Sequence, residues 1–472
     1  MHINKLMLSY TGKIHFSGIG GIGMSGIAEI LSNLGYTIQG SDQSDNYVIA
    51  RLKKLGITIF LDQTGENLRD IALLVRSTAV KDDNPEVIAA RKHKIPVISR
   101  TEMLAELMRL KVCVVIAGSH GKTTTTSLTA CIFEASNKNP TVINGGIINN
   151  RHTNAYLGNG DFLIAEADES DATFIKIPST IGIITNIDHE HMDFYGTFDK
   201  IKDAFRTFLS NLPFYGFGVV CIDHPIVKEI ADTVTDRKII TYGIESKNID
   251  VKAVNIREGI NHSIFDVLIS NNLNTKIREL HNIKLPTPGV HNVLNALGPI
   301  AIALELGFNK DNIIDGFKSF HGVKRRFTLV GEYNGVKFID DYAHHPEEIK
   351  VTLRTAKSVA AQNNGKVIAI FQPHRYSRLQ YLFSEFVHSF SDANILYIAD
   401  IYGAGESPIE NLNKELLINA IKQTNAHSDA RLLLSHDELP EIVKLYAKPN
   451  DIMIFLGAGS ITYWANDIVK KL

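Results

Sequence analysis

The sequence predicts an α/β chain of about three domains, and three observations carry that expectation. Its 472 residues exceed what one ordinary core holds, since domains usually run to roughly 100–200 residues. Two segments, at 13–42 and 111–124, read as a strand, a glycine turn and a helix start. Beyond 323 the chain again alternates buried-strand runs with helical stretches.

In chain order, KIHFSG from Lys13 is a strand, GIGGIG a turn, MSGIAEILSNLG an amphipathic helix and YTIQGSD a second strand, which makes a βαβ start. The apolar run KVCVVIAG at 111–118 enters a second glycine turn and a Thr-rich helix start at Lys122-Thr123-Thr124. Two nucleotide-type openings imply two α/β domains. FLIAE at 162–166 and IGIITN at 181–186 end at charged residues, where open parallel sheets place ligand contacts. After Pro286-Thr287-Pro288-Gly289 comes the helical stretch HNVLNALGPIAIALELG, and then the basic break His321-Gly322-Val323-Lys324-Arg325-Arg326. KFIDDYA, VIAIFQP, ILYIAD and IMIFLGAG follow as buried strands. The expected domains are 1–109, 110–322 and 323–472, with no internal repeat.

Composition narrows the function classes. The 49 basic and 51 acidic residues nearly balance, with no long Lys/Arg block, which argues against nucleic acid as a partner. Cys113, Cys131 and Cys221 lie far apart without metal-site spacing, as expected in a reducing compartment. Met1 to Lys13 lacks a leader pattern, and no stretch approaches the ~20 apolar residues of a membrane span. A soluble, cytoplasmic protein with no membrane partner is expected.

Gly118-Ser119-His120-Gly121-Lys122-Thr123 follows a buried strand and opens a helix, so its backbone N–H groups can face the phosphates of ATP. Lys122 would neutralise the terminal phosphates, and Thr123, followed by Thr124, would offer a hydroxyl to Mg²⁺. Ile116 stands where the generic phosphate-loop motif has its first glycine, so that match is imperfect. Glu166 to Asp171 and Asp188 to Asp193 are acidic and His-bearing strings at two strand ends, suited to magnesium with its preference for oxygen ligands. Gly18, Gly20 and Gly23 have dinucleotide-binding spacing, and Asp42 falls where an acid can bond a ribose. An NAD-dependent oxidoreductase is therefore a rival class. It would leave the ATP-type loop and the acidic strings without a task, whereas a substrate carrying a nucleoside diphosphate would use the same glycine turn.

The strings HFSGIGGIGMSGIAEIL, GSHGKTTTT, EADESD, TNIDHEHMDF, PGVHNVLNALG, KRRF, DDYAHHPEEI, QPHRYSR and GAGS, in this order, resemble the Mur ligases of peptidoglycan synthesis from Ile14 to Gly459. Within that family the N-terminal string is more similar to the branch that adds L-alanine to UDP-N-acetylmuramate than to the recycling branch that adds a tripeptide. The resemblance implies a Rossmann-like N-terminal UDP-binding domain, a central P-loop ATPase-type domain with the family's shortened loop, and a C-terminal Rossmann-like domain that closes over both, with the Gly322 neighbourhood as hinge. It implies ATP and Mg²⁺, with UDP-N-acetylmuramate and L-alanine as small-molecule substrates. By motif position Gly18, Gly20, Gly23 and Asp42 would hold UDP. Glu166 and His191 would join Thr123 as magnesium ligands, Asn292 would contact adenine, and Asp341 would contact the ATP ribose or phosphate. Tyr342 and His344, with Arg375 and Arg378, match positions where muramate and amino acid meet, and Arg326 is a further cation for carboxylate or acyl phosphate. His344 is the first candidate for the base. Several relatives carry a carbamylated lysine after the His-Met/Leu-Asp motif. Here that position is Phe205, with Lys202 three residues earlier, and no carbamate is expected.

Overall fold

A computed structural model describes residues 12–472 apart from 109–110, 150, 152, 171, 425 and 428. The expected boundary at 109/110, the stretch 1–11 and Asp171 lie outside the described residues. The chain divides into two compact units. The first runs to Val254 and adds Asp266–Ile283 and Leu294–His321; the second combines Asn255–Phe265, Lys284–Val293 and Gly322–Leu472.

The first sheet holds β1 (Lys13–Ser17), β2 (Ile38–Ser41), β3 (Thr58–Phe60), β4 (Ile71–Arg76) and β5 (Val97–Ser99). Its order is β3-β2-β1-β4-β5, and every pairing is parallel. The chain therefore reverses direction across the sheet beside β1, which opens a crevice at the carboxyl ends of β1 and β4. The run KIHFS forms the central strand because four of its five residues are buried.

The second sheet has ten strands: β6 (Val112–Ala117), β7 (Thr141–Ile148), β8 (Thr153–Tyr156), β9 (Phe162–Glu166), β10 (Ile181–Ile184), β11 (Phe217–Cys221), β12 (Lys238–Gly243), β13 (Val251–Glu258), β14 (Ser263–Ile269) and β15 (Glu279–Leu285). Their order is β15-β14-β13-β12-β11-β10-β6-β9-β7-β8. β6 sits between β10 and β9, all parallel, so the loops after these three strands converge at one edge of the sheet. Helix Ile22–Asn33 lies on β7 and β8 with Gly26 against Ala155, where a Cβ would collide. One apolar core accordingly runs from Phe16 and Ile27 through Ala155 to Phe174, Phe205 and Phe208.

In the second unit β16 (Thr328–Tyr333), β17 (Val336–Asp341), β18 (Val367–Phe371), β19 (Ile395–Ile398), β20 (Ala430–Leu432) and β21 (Ile452–Leu456) form a sheet of order β16-β17-β21-β18-β19-β20. Only β16 is antiparallel. Helix Pro346–Ala361 covers one face through Ile349 and Leu353, while helices Leu439–Tyr446 and Ile461–Lys471 cover the other through Ile442 and Ile468. This is the three-layer arrangement of a doubly wound domain. Cys113, Cys131 and Cys221 are buried and free. Among the described residues no helix is long and apolar enough to cross a membrane.

Candidate active site

The phosphate loop follows from its two glycines. Gly118 and Gly121 take φ of +129° and +81°, and a Cβ would strike the Thr185 hydroxyl at the first and the Asn295 amide at the second. Gly121 starts helix Lys122–Ala135, whose first turn carries no acidic residue to compete with an anion. The segment after β10 braces the loop. The Ser119 N–H donates to the Asn186 carbonyl (3.0 Å), the His120 N–H to Asn186 Oδ1 (2.7 Å), and the Asp188 N–H to Ser119 Oγ (2.8 Å). His120 Nε2 lies 3.2 Å from Asp188.

Lys122 folds back over this loop, its Nζ donating to the carbonyls of Gly118 (2.5 Å) and Ser119 (2.9 Å) and to Glu169 Oε1 (2.8 Å). Burial pulls the ammonium down, but Glu169, Glu190 and Glu166 outweigh it and hold Lys122 above the ordinary lysine range. Glu169 is pushed up by the same burial, which Lys122 only partly offsets.

The expected magnesium ligands fall into two groups. Thr123 donates to Glu166 Oε1 (3.1 Å), and Glu166 Oε2 accepts the Gly145 N–H (2.7 Å). His191 Nε2 instead faces Glu169 and Glu190, at 3.7 Å from each. One ligand atom from each of Glu169, Glu190 and His191 lies within 4.8 Å of the others. Among the described residues Glu169 Oε2 is buried without a hydrogen-bond partner, and two carboxylates with one imidazole suit a hard divalent cation, so these residues fit Mg²⁺. His191 sits in the left-handed region at φ +54°, a strained setting for a non-glycine residue. Glu169 and Glu190 belong to the same acidic strings as Glu166 and His191, and spacing in sequence does not single them out.

The first glycine turn leads into a cavity of about 620 Å³ lined by Gly18, Gly20, Asp42, Gln63, Ser77 and Lys81. Gly18, at φ +81°, and Ile19 donate their N–H groups to the Ser41 carbonyl, and the Gly20 N–H donates to Asp42 Oδ2 (2.8 Å). At Gly23 the Arg100 guanidinium fills the place that a Cβ would take. Arg100 reaches on to Asp168 (3.1 Å); burial would lift that carboxyl, but Arg100 holds it at about 2. Gln63, Ser77, Lys81 and Arg100 carry no motif, and only the fold brings them to the turn.

The second unit gathers the other candidates. Tyr342, just past β17, lies under the guanidinium groups of Arg325 (4.7 Å) and Arg326 (5.4 Å). Its ring meets His344 edge-on at 5.1 Å. His344 Nδ1 is 2.9 Å from the Tyr342 carbonyl, which can only accept, so Nδ1 is the donor of this contact. His374 stands 5.9 Å from His344 and stacks on Tyr402, while Arg378 approaches His374 Nδ1 at 3.4 Å. Burial, then His344, Arg378 and Arg375, lower His374 to about 3, so it is neutral at physiological pH. Arg375 takes φ +69° and pairs with Glu406 (3.8 Å). Arg326 pairs with Glu348 (3.6 Å). Asp341 accepts the N–H groups of Phe327 and Ala343, both at 2.7 Å, and burial raises it to about 6 against the pull of Arg326. Asn292 is buried, its amide donating to the Pro288 carbonyl at 2.7 Å. His374 and Arg325 lie inside QPHRYSR and KRRF, strings already singled out; Glu406 gave no local signal.

Phe205 is fully buried against Phe174 (5.1 Å between centroids), and Lys202 Nζ donates to both carboxylate oxygens of Glu229 at 3.0 Å.

Three family models match this chain: "Mur ligase family, catalytic domain" over residues 13–112, "Mur ligase middle domain" over 116–303 and "Mur ligase, glutamate ligase domain" over 325–459. The chain is 57% identical to the UDP-N-acetylmuramate--L-alanine ligase of Rickettsia bellii over 458 residues, covering 97% of this chain and 96% of that protein. The solved UDP-N-acetylmuramate-alanine ligase of Thermotoga maritima matches with a TM-score of 0.81 at 30% identity, covering 98% of this chain and 99% of that one. A murein peptide ligase from Psychrobacter arcticus shares the fold, with a TM-score of 0.72 at 22% identity and coverage of 97% and 98%. With matched segments following one another from residue 13 to residue 459, the chain belongs to the Mur ligase family.

Proposed function

We propose that this chain is an ATP-dependent ligase that joins L-alanine to the carboxyl group of UDP-N-acetylmuramate in peptidoglycan precursor synthesis. The observation that carries this reading is Lys122, buried in the phosphate loop against Glu169, with Glu190 and His191 facing the same carboxylate. A nucleotide-type cavity on the same unit supports a substrate carrying UDP.

A carboxylate is a poor acylating agent, so the muramate carboxylate first attacks the γ-phosphorus of ATP. The bond to the β,γ-bridging oxygen breaks, ADP leaves, and an acyl phosphate forms. Lys122 and the loop N–H groups neutralise and align the phosphates, which is most of what phosphoryl transfer needs. Magnesium, held by Glu169, Glu190 and His191 with the Thr123 hydroxyl and Glu166 beside them, would supply further neutralisation of phosphate charge. The alanine amine then attacks the activated carbonyl and phosphate departs. His344 Nε2 is suited to take the amine proton, and Arg375, Arg378 and Arg326 to hold carboxylate and oxyanion charge. Asn292 and Asp341 are assigned to ATP, and Tyr342 to the amino-acid pocket. Residues 1–109, 110–322 and 323–472 take the UDP substrate, ATP and the amino acid in turn. Three free cysteines and nucleotide substrates support a cytoplasmic location.

The test is phosphate release with UDP-N-acetylmuramate, ATP and Mg²⁺, adding L-alanine, other amino acids and a tripeptide in separate assays. Amide, ADP and phosphate are expected with L-alanine. AMP and pyrophosphate would overturn the mechanism, turnover with only the tripeptide would overturn the substrate, and tight NADH binding without ATP binding would favour an oxidoreductase.

A further inference from the structure

Beneath the glycine turn the first sheet hides a polar cluster that no step above uses. Glu86 is fully buried, as are His15, Ser17 and Ser41. Its Oε2 accepts the hydroxyls of Ser17 (2.6 Å) and Ser41 (2.8 Å), while Oε1 accepts from Asn67 (3.0 Å) and faces His15 Nε2 at 3.1 Å. Burial alone would lift this carboxyl, but His15, Asn67 and Ser17 hold it below the usual range, so it is ionised. A buried carboxylate contributes little to stability that an apolar side chain of similar size would not, because its desolvation consumes what its bonds return.

The donors point to another role. Ser17 ends β1 directly before Gly18, and Ser41 ends β2 directly before Asp42. One carboxylate thus ties together the two strand ends that carry the glycine turn and its acid, and the Gly20 N–H to Asp42 bond closes the ring above it. Ser17 Oγ also accepts from Gln63, and Asn84 donates to Gln63; both line the cavity. Asn84 further caps helix Pro85–Lys92, whose first turn holds Glu86.

We propose that Glu86 is a positioning residue for the UDP-linked substrate: by gripping Ser17 and Ser41 it sets the spacing between the turn that faces the diphosphate and the acid that faces the ribose. This rests on reading the cavity as the UDP site. Glu86→Gln keeps the shape but removes the charge and replaces one of the two accepting oxygens by an NH2 group, so Ser17, Ser41, Asn67 and His15 no longer share a two-oxygen acceptor. It should raise KM for UDP-N-acetylmuramate about tenfold and weaken UDP binding equally, with kcat and KM for ATP unchanged within about twofold. Ser41→Ala, which removes only the β2 tether, should raise the same KM about threefold, and it serves as the test if Glu86→Gln does not fold. UDP is titrated calorimetrically into wild type and variants, and melting is followed by circular dichroism. Folded variants that bind UDP like wild type, or that lose kcat and both KM values together, overturn the proposal. Wild type that binds ATP but not UDP instead overturns the reading of the cavity, and the proposal with it.

Discussion

Lys122 is held by two loop carbonyls and Glu169, so its charge is already oriented before any phosphate arrives. Lys122→Ala should lower turnover by about a thousandfold or more, since charge neutralisation carries most of phosphoryl transfer. UDP binding, measured by calorimetry on the same folded variant, should not change, because the glycine-turn cavity is lined by other residues. Loss of both ligands together would show that the two sites had been wrongly separated. His291 bears on stability. Burial, then Arg326, lowers it from 6.5 to about 4, and its Nδ1 is buried with no hydrogen-bond partner among the described residues. Between pH 4 and 6.5 the unfolded chain binds more protons there than the folded one. The contribution is therefore complete above 6.5 and is lost as pH falls towards 4. His291→Gln should flatten the acid fall of the melting temperature across that window, read from melts at half-unit pH steps. An unaltered slope would mean that another group titrates there.

At the scale of elements, legibility followed local spacing. Parallel strands buried on both faces read as unbroken apolar runs, which is why KVCVVIAG, IGIITN and VIAIFQP were identified correctly. β13 and β15 mix buried positions with half-buried or exposed ones in VKAVNIRE and ELHNIKL, and their Lys, Asn, His and Glu residues dilute the apolar pattern. Both glycine turns were visible because their chemistry is local in sequence. Which of Glu166 and Glu169 meets His191 was not, since it depends on how the chain turns after β9. Lys81, Arg100 and Glu406 needed the tertiary fold. Helix Phe198–Ser210 shows the gain from combining the two levels. Its face of Ile201, Ala204, Phe205 and Phe208 is core, and Lys202 is committed to Glu229. Activity in degassed, bicarbonate-free buffer should therefore equal activity after bicarbonate is restored. Strong rescue by bicarbonate that Lys202→Ala abolishes would show that this helix presents a carbamate after all.

The whole molecule is three family segments in sequence but two units in space: the first two segments fall largely in one unit, and two short excursions of the middle segment group with the other. Residues 255–265 and 284–293 fall within the middle family segment yet group with the C-terminal residues. Their contributions are specific: Ile260 packs on the core beneath helix Pro346–Ala361, Glu258 accepts the Ser358 hydroxyl (3.0 Å), and Gly289 lies so tightly on Thr355 that a Cβ would clash. Part of what stabilises that helix therefore comes from chain that precedes residue 323. Ile260 is partly buried, so Ile260→Ala should cost about 1 kcal/mol, below the range for a fully buried isoleucine. Because stability is not uniform across a structure, that cost should be felt locally. Amide hydrogen exchange should accelerate about fivefold along Pro346–Ala361 and remain at the wild-type rate along Lys122–Ala135, which belongs to the other unit. Equal acceleration in both helices would mean that the chain unfolds as one cooperative body. No acceleration in either would mean that the excursion carries no stability, and that residues 323–472 hold their fold without it.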